Sequence, residues 1–286
     1  MTLERLSPKQ FEQFSEFIYT TSGIRIDSKK ITLLSNRIRR RLSKCGVDSF
    51  DAYYHHLRSP AGASELSGFL DAITTNETFF FRTPSQFEWL KSDWLNEQIM
   101  LQQAGKRSDR LRIWSAGCAN GAEPYSIAMC IAENLYRLRQ WSVEILGTDI
   151  SQEMLAEAAR GTYRDRSVDG LSEPQRRRYF RHDQQQDLWQ LRDTIRAVVD
   201  FKKHNLMRPI LSERFDCIFI RNVLIYFDFE SKKRAVQHLL NSLEVGGYLV
   251  VGPSEGIYEL LHSLRRVSPL IYQKTDHQAR VGGPSA

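Results

Sequence analysis

Two different spacings of apolar residues divide the chain. In the first 72 residues, apolar side chains recur every three or four positions, as at Phe11, Phe14 and Ile18. That spacing places an apolar stripe on one side of a helix, so it predicts a helical region. From Leu111 onward, short apolar runs alternate with helical stretches, and this alternation predicts an α/β domain with a mostly parallel sheet.

These spacings predict a small all-α domain followed by a larger α/β domain. The predicted boundaries are 1–72 for the helical domain, 73–86 for a linker, 87–275 for the α/β domain and 276–286 for a disordered tail. Residues from about 165 to 202 are polar and arginine-rich, with strand-like runs at Leu188–Leu191 and Ile195–Lys203, and we interpret them as an insertion or outlying small sheet. Arg266–Gln273 is predicted to be a last, antiparallel strand.

The segment Leu111–Ala128, LRIWSAGCANGAEPYSIA, carries the first functional signal. An apolar strand runs into a loop that contains Gly117 and Gly121, and Glu123–Pro124 then opens a helix. Glycines in such a loop let a bulky ligand approach the backbone. A helix start normally attracts anions, but a carboxylate placed there repels a pyrophosphate and attracts an ammonium or sulfonium ion. The segment therefore favours S-adenosylmethionine (SAM) over NAD.

Other polar residues follow the predicted strands. Asp149 ends the second strand of a βαβ unit, where a carboxylate either holds ribose hydroxyls or caps the next helix. Asn205 also follows a strand and either hydrogen-bonds an adenine edge or serves as a turn residue. Arg221–Asn222 interrupts the apolar run Phe215–Phe227, which places the pair at the carboxyl end of a strand, with Tyr226 at the same edge.

The predicted linker has an unusual composition. Asp71–Arg82, DAITTNETFFFR, packs hydroxyl and amide groups before three phenylalanines and an arginine. Two interpretations are open. The segment either caps a helix and feeds a buried aromatic anchor, with Arg82 in a surface ion pair, or forms a polar lip over a ligand at the joint between two domains.

Composition indicates the environment. The four cysteines are scattered without a CxxC pair, which fits a reducing compartment and argues against a zinc site, so we expect no metal. The first residues contain no apolar signal region and no apolar run is long enough to span a bilayer, so a cytoplasmic protein without membrane insertion is expected. The net charge of +6 and the pI near 9.1 indicate either an acidic partner or a charge that serves solubility.

A basic cluster lies on the second predicted helix. Arg37, Arg40, Arg41 and Lys44 share one face, with Arg39 beside them. This face is a solvated surface, a nucleic-acid contact or a docking site for an acidic protein. The segment lacks interleaved aromatics and a helix-turn-helix spacing, which weakens the nucleic-acid interpretation.

Taken together, these residues resemble the CheR-type methyltransferases, the protein-glutamate O-methyltransferases that act on bacterial chemotaxis receptors. The resemblance extends from the helical domain to Tyr272 and rests on the order and spacing of TTNETFFFR, WSAGCANGAEPYSIA, GTDIS, HNL and RNVLIYF. It implies a receptor-docking all-α domain, a Rossmann-like SAM-dependent methyltransferase domain and a small antiparallel β subdomain. It also implies SAM as cofactor, S-adenosylhomocysteine as product and the cytoplasmic signalling helices of chemoreceptors as partners, with no nucleic acid.

The resemblance also implies roles for single residues. The family's SAM contacts correspond to Asn76, Thr78, Arg82, Glu123, Asp149, Asn205, Leu206, Arg221 and Asn222, and the loop glycine Gly117 is added to them. Arg82 and Tyr226 match positions that shape the methyl-transfer site. Because receptor methylation helices are acidic, the basic face formed by Arg37, Arg40, Arg41 and Lys44 is expected to dock them.

The chain departs from the family pattern in places. Ala122 stands where many members have a glutamate, and Pro253 replaces a more usual polar residue. The stretch Arg181–Asp187 is short and lacks the glycines of members that grip a receptor's C-terminal peptide, so no strong dependence on such a peptide is expected.

Two alternative functions remain, a SAM-binding adaptor without turnover and a nucleic-acid methyltransferase. The second usually requires an Asn/Asp-Pro-Pro-aromatic motif, and the corresponding strand end here has no prolines.

Overall fold

The computed structural model describes residues 5–134, 136–211 and 213–276. Four α-helices form the N-terminal domain: α1 (Pro8–Ser22), α2 (Ile31–Cys45), α3 (Phe50–Arg58) and α4 (Glu65–Ile73). None of the helices in these ranges is both long and apolar enough to cross a bilayer. Of the tail predicted to be disordered, residues 277–286 lie outside the described residues.

Local sequence explains where α1 begins and ends. The Ser7 side chain accepts a hydrogen bond from the backbone of Gln10, whose own side chain accepts one from the backbone of Ser7, which completes a capping box. Gly23 ends the helix in the left-handed conformation, with φ 76°. Phe14 and Ile18 are buried in the core of the helical domain, as their spacing predicted.

The α/β domain starts with a helical stretch and then alternates strands and helices. Its first part comprises α5 (Pro84–Trp89), a π-helical segment (Leu90–Trp94), α6 (Leu95–Gln103), β1 (Arg110–Ala116), α7 (Ala122–Glu133), β2 (Ser142–Asp149) and α8 (Gln152–Arg160). The middle part comprises β3 (Thr162–Tyr163), α9 (Asp165–Val168), α10 (Glu173–Tyr179), β4 (Phe180–Asp183), β5 (Leu188–Leu191), α11 (Asp193–Arg196) and β6 (Val199–Lys203). The last part comprises β7 (Phe215–Ile220), α12 (Phe229–Ser242), β8 (Leu243–Val251), β9 (Arg265–Ser268) and β10 (Ile271–Gln273).

The strands form two sheets. The main sheet has seven strands in the order β6–β2–β1–β7–β8–β10–β9, of which the first five pair in parallel, while β10 pairs antiparallel with both β8 and β9. The second sheet has three antiparallel strands in the order β3–β5–β4. The expected fold class is therefore confirmed: a Rossmann-like α/β domain with a small antiparallel sheet follows an all-α domain.

The central strands are apolar on both sides because both faces of the main sheet are covered. Ile113 and Phe219 point into one core together with α7, whereas Trp114 and Ile218 point into the other together with α12. This arrangement explains the nearly continuous apolar runs in the sequence.

Two strand predictions were wrong. Ile195–Lys203 is not one strand of an outlying sheet, because Asp193–Arg196 forms a helical turn and Val199–Lys203 pairs in parallel with β2 as an edge strand of the main sheet. Arg266–Gln273 is not one strand either, because Leu270 has a φ of 66° and turns the chain between β9 and β10. The first error arose because an apolar pattern does not specify the partner strand, and the second because the pattern does not show a tight turn within the run.

The helical domain is attached to the carboxyl edge of the main sheet. Ile24 forms an isolated antiparallel bridge with Phe227, and the Arg25 amide donates to the Tyr226 carbonyl at 2.8 Å. At the same seam, a Cβ added to Gly23 would lie 2.5 Å from the Met207 sulfur, so a larger residue there would displace the Met207 side chain as well as adopt a φ of 76°.

Candidate functional site

A cleft lies between the helical domain and the carboxyl edge of the main sheet. Together with the open solvent at its mouth, it encloses about 1380 Å³. Its walls come from the turn between α1 and α2, the linker after α4, the β1–α7 loop and the segments that follow β2, β6 and β7. The cleft is therefore formed jointly by the helical domain and the α/β domain.

The structure brings together the residues that were predicted to bind the cofactor or act in catalysis. The cleft lining includes Asn76, Thr78, Arg82, Gly117, Glu123, Asp149, Asn205, Leu206, Arg221, Asn222 and Tyr226. They come from separate stretches of chain that meet because parallel strands end at the same edge of a sheet. Their individual roles stay predictions.

Glu123 and Arg221 form a buried ion pair. Arg221 Nη1 lies 3.1 Å from Glu123 Oε2, and the Ser115 hydroxyl donates to Glu123 Oε1 at 2.7 Å. Burial raises the pKa of Glu123, while the Arg221 guanidinium opposes this rise. The sequence argument treated Glu123 as a free carboxylate, but the structure shows that a ligand cation would share it with Arg221.

Arg221 also connects the ion pair to the linker. Its Nη2 donates to the Arg82 carbonyl and to Thr83 Oγ1, the latter at 3.0 Å. Burial lowers the pKa of Arg221, and the charge of Glu123 opposes that fall. Ser115 and Thr83 were not predicted as site residues, because hydroxyl groups at a strand end or a helix start give no distinctive signal.

Asp149 is buried at the carboxyl end of β2. Its two carboxylate oxygens accept hydrogen bonds from the backbone amides of Ser151 at 2.9 Å and Ala119 at 2.8 Å. Burial raises the pKa of Asp149, and these backbone hydrogen bonds oppose the rise. Each oxygen has a second lone pair, so the carboxylate can hold the β1–α7 loop and still accept ligand hydroxyls.

Gly117 allows the β1–α7 loop to approach the segment after β7. Its φ is 81°, a conformation that favours glycine, and an added Cβ would lie 2.3 Å from Val223 Cγ2. The amides of Gly117 and Cys118 both donate to the Thr148 carbonyl. The loop is therefore held in one shape by groups of its own chain.

Asn205 has a structural role that the sequence did not indicate. Its amide nitrogen donates to the Thr21 carbonyl of α1 at 2.7 Å, and its amide oxygen accepts from the Met207 amide at 3.0 Å. Any hydrogen bond to an adenine edge must therefore use the remaining hydrogen or lone pair. Leu206 is buried and gives this part of the cleft an apolar wall.

Asn222 presents an unsatisfied acceptor at the cleft. Its backbone has a φ of 58°, and its backbone N–H donates to the buried carboxylate of Glu255. The same carboxylate accepts from the backbone N–H of Leu224 at 2.8 Å. Within the described residues, Asn222 Oδ1 is buried without a hydrogen-bond partner. Glu255 was not predicted as a site residue, although a glutamate in the loop that follows a buried strand could have pointed to it.

Backbone strain is concentrated around the cleft. Phe81, Thr83, Ala119 and Asn222 are four of the six non-glycine residues with positive φ in the described ranges, and all four lie on segments that form the cleft. Such conformations persist where the surrounding structure enforces them, and they are frequent at ligand sites.

Arg82 and Tyr226 are half-buried and face the cleft. Arg82 donates to the Glu77 carbonyl at 3.3 Å, and its guanidinium lies 5.6 Å from the centre of the Phe79 ring. Among the described residues Arg82 forms no ion pair, and the Tyr226 hydroxyl makes no hydrogen bond. Both side chains are therefore available to a substrate.

Arg37 connects the helical domain to the polar linker. It donates to the carbonyl of Ile73 and, at 3.0 Å, to the hydroxyl of Thr75. It also lines the cleft, so it faces the linker rather than open solvent. Asn76 and Thr78, which follow on the linker, are half-buried in the cleft wall.

The predicted basic docking face requires a correction. Arg41 Nε donates to Glu65 Oε1 at 2.8 Å, and only 16% of the Arg41 side-chain surface is exposed. Arg41 therefore belongs to an ion pair inside the helical domain, and its assignment to a partner surface was wrong. Arg40 and Lys44 are exposed, so the basic docking face is reduced to these two residues.

Outside the cleft, one surface cluster has metal-binding chemistry. Asp165, His182 and Asp187 are exposed, and their ligand atoms lie within 4.8 Å of one another. The distance from His182 Nε2 to Asp187 Oδ1 is 3.3 Å, so contacts within the chain already account for this grouping. The expected absence of a metal stays a prediction.

The cleft has acceptor groups and apolar contacts that SAM would need. Glu123, Asp149 and the unsatisfied oxygen of Asn222 are acceptors for an ammonium group and for hydroxyls. Leu206 and Val223 provide apolar contacts. These residues therefore fit a cationic ligand that carries a ribose and a flat base.

Comparisons with known proteins give consistent matches along the chain. Residues 9–74 match the family model described as "CheR methyltransferase, all-alpha domain", and residues 76–269 match "CheR methyltransferase, SAM binding domain". The chain is 33% identical to a chemotaxis protein methyltransferase of Borreliella burgdorferi over 276 residues, which cover 94% of this chain and 95% of that protein. It is 37% identical to chemotaxis protein methyltransferase 1 of Pseudomonas aeruginosa over 87% of this chain and 91% of that protein. It is 33% identical to the chemotaxis protein methyltransferase of Escherichia coli, covering 89% and 87%.

Proposed function

The chain belongs to the CheR family of SAM-dependent methyltransferases that serve chemotaxis, and from this premise we propose that it methylates glutamate side chains of bacterial chemoreceptors. The product is a carboxyl methyl ester, so the protein is a protein-glutamate O-methyltransferase. The substrate segments are the cytoplasmic signalling helices of the receptors, and neither a nucleic acid nor membrane insertion is involved.

The distribution of charge in the cleft carries this proposal. Acceptor groups are buried, at Asp149 and at Glu123, which also pairs with the buried Arg221, whereas Arg25 and Lys30 are exposed at the rim and Arg82 is half-buried. A cationic cofactor fits the buried part, and an acidic substrate segment fits the rim. The two charges therefore meet inside one cleft.

Several residues would hold the cofactor. Asp149 would accept hydrogen bonds from the ribose hydroxyls, and Glu123 and Asn222 would accept them from the methionine ammonium. Asn205 and Leu206 would flank the adenine. When bound, SAM supplies an electrophilic methyl group on a sulfonium sulfur, and the leaving group is S-adenosylhomocysteine.

The substrate carboxylate needs no general base. A glutamate with a pKa of about 4.3 is already ionised at neutral pH, and its oxygen is the nucleophile. Arg82 and Tyr226 would hold the carboxylate in line with the methyl group, since both face the cleft and, among the described residues, Arg82 forms no ion pair and the Tyr226 hydroxyl makes no hydrogen bond. Alignment and exclusion of water would provide most of the rate enhancement.

A methyl-transfer assay tests the proposed function. Purified protein, SAM with a radiolabelled methyl group and membranes that contain chemoreceptors should give labelled receptors, and mild base should release the label as methanol. A matched receptor in which the methylated glutamates are changed to alanine should stay unlabelled. Base-stable label on nucleic acid would instead support a nucleic-acid methyltransferase, and SAM binding without any transfer would support an adaptor.

A further inference from the structure

The small antiparallel sheet carries a strongly basic recess, here called the arginine pocket. It is lined by Arg160 at the end of α8, Arg181 on β4, and Arg192 and Arg196 beside or on α11, with Asp193 as the one carboxylate. These groups give a net charge of +3. None of the described residues that line this pocket lines the cleft, so the methyl-transfer site does not explain this charge.

The floor of the pocket is formed by two neutral side chains, Thr162 and Gln190, that already make hydrogen bonds within the chain. Thr162, Gln190 and Arg181 lie opposite one another on the three strands, so their side chains share one face of the sheet. The Thr162 hydroxyl donates to Gln190 Oε1 at 2.6 Å, and Gln190 Nε2 donates to the Arg160 carbonyl at 3.0 Å. This network leaves the arginine side chains as the available donors.

Two of the arginines are held in place by hydrogen bonds to backbone carbonyls. Arg192 Nη2 donates to the Arg177 carbonyl at 3.2 Å, and Arg196 Nη2 donates to the Ala159 carbonyl at 2.8 Å. In the described part of the chain, the Nε atoms of Arg192 and Arg196 are buried without a hydrogen-bond partner.

The other two arginines are unengaged. Arg160 and Arg181 are exposed, and neither side chain forms a hydrogen bond or ion pair with a described residue. Asp193 offers little neutralisation, because 87% of its side chain is exposed and it contacts only one of the four guanidinium groups, that of Arg196 at 3.1 Å. Like charges gathered in this way are stabilised by an anion.

We propose that the arginine pocket binds a phosphoryl group. A phosphate ester is close to dianionic at neutral pH and offers three acceptor oxygens, which suits several guanidinium groups that approach from different elements. A carboxylate has one charge and two oxygens, and two arginines would satisfy it. The ligand is either free phosphate or a small phosphate monoester, and both share this chemistry.

Calorimetric titration of the full-length protein with inorganic phosphate, phenyl phosphate and acetate tests the proposal. Phosphate and phenyl phosphate should bind, and acetate should bind at least about tenfold more weakly, as expected from its smaller charge and fewer acceptors. Tighter binding of phenyl phosphate than of phosphate would identify a monoester as the ligand. Failure of both phosphates to bind, or equal binding of acetate, would overturn the proposal.

A pair of double variants tests whether phosphate binding depends on the arginine pocket or only on the net positive charge of the protein. Arg160→Gln with Arg181→Gln removes two unengaged arginines and should weaken phosphate binding at least about tenfold, since two charge-assisted contacts are lost. Arg139→Gln with Arg234→Gln removes the same charge from exposed positions outside the pocket and should leave phosphate binding unchanged. SAM affinity should be unaffected in both, which shows that each is folded. Equal losses in the two variants would reduce the pocket to a nonspecific basic surface.

Discussion

Arg221 and Glu123 lie 3.1 Å apart and are both withdrawn from solvent, with 2% and 12% of their side-chain surfaces exposed. Ser115 contacts the carboxylate from β1, and Thr83 contacts the guanidinium from the linker. One ion pair therefore joins the β1–α7 region, the segment after β7 and the start of α5. It supports the cleft as well as lining it.

Removal of one partner of this pair should be more damaging than removal of both. Arg221→Met leaves a buried unpaired carboxylate and should lower the free energy of unfolding by about 3–5 kcal/mol. The double variant Glu123→Gln/Arg221→Met leaves neither charge and should be more stable than Arg221→Met alone. Urea unfolding measures both, and a double variant less stable than the single one would show that the ion pair is not the main interaction.

Asp149→Ala should weaken SAM binding at least about tenfold, because it removes a carboxylate that would accept ribose hydroxyls and that also holds the Ala119 amide. Calorimetry gives the affinity directly. Asp48→Ala, at an exposed position before α3, is the matched control and should bind SAM like the wild type. If Asp149→Ala binds SAM with wild-type affinity, Asp149 does not contribute to SAM binding.

Tyr226→Phe should slow methyl transfer with little change in SAM affinity. The hydroxyl is proposed to orient the substrate carboxylate, and the variant keeps the ring and the backbone contact with Arg25. The loss of one hydrogen bond to a charged group predicts a rate lower by roughly tenfold or more. Single-turnover methylation with SAM in excess measures this step. An unchanged rate would confine Tyr226 to a structural role.

Charge reversal at the two exposed residues of the basic docking face tests receptor docking. Arg40→Glu with Lys44→Glu should slow receptor methylation at low salt, and the difference from wild type should shrink as salt screens the interaction. SAM affinity should not change. Arg139→Glu with Arg234→Glu carries the same charge change elsewhere on the surface. Equal slowing by both pairs would indicate an effect of net charge alone.

The ion pair of Arg41 and Glu65 predicts a pH dependence of stability. Burial disfavours ionised Glu65, but hydrogen bonds from Arg41 and Tyr53 outweigh it and hold the Glu65 pKa below its usual value. Because the folded state binds this proton less readily, the stabilisation is present above the unfolded pKa of about 4.3 and is lost as pH falls through the folded pKa.

Substitution of Glu65 checks this dependence. At pH 7, Glu65→Gln should cost about 1.5–3 kcal/mol, the value of a hydrogen bond to a charged group, and the cost should shrink in acid. Glu173→Gln, at a carboxylate that is 70% exposed, should show little cost at either pH. A Glu65→Gln penalty that persists below the folded pKa would contradict the assignment.

The features that the sequence predicted correctly depend on neighbours in the chain. The limits of α1 follow from Ser7 and Gly23, and the loop after β1 follows from Gly117 and the apolar run before it. Asp149 could be placed at the cleft because the end of a parallel strand is a position that the chain order itself specifies. Periodicity was also sufficient to separate a helical domain from an α/β domain.

The features that the sequence did not predict depend on contacts between distant residues. Arg41 and Lys44 look equivalent on a helical wheel, yet only Arg41 meets Glu65. Asn205 binds Thr21 across the domain seam, and the strand from Val199 pairs with β2. Periodicity says which side of an element is buried but not which group lies opposite it. The sequence by itself therefore determined the fold class, most of the elements and many of the residues that line the cleft. Only the tertiary structure decided which charges pair with each other and which remain free for a ligand, because that depends on the packing of segments far apart in the chain.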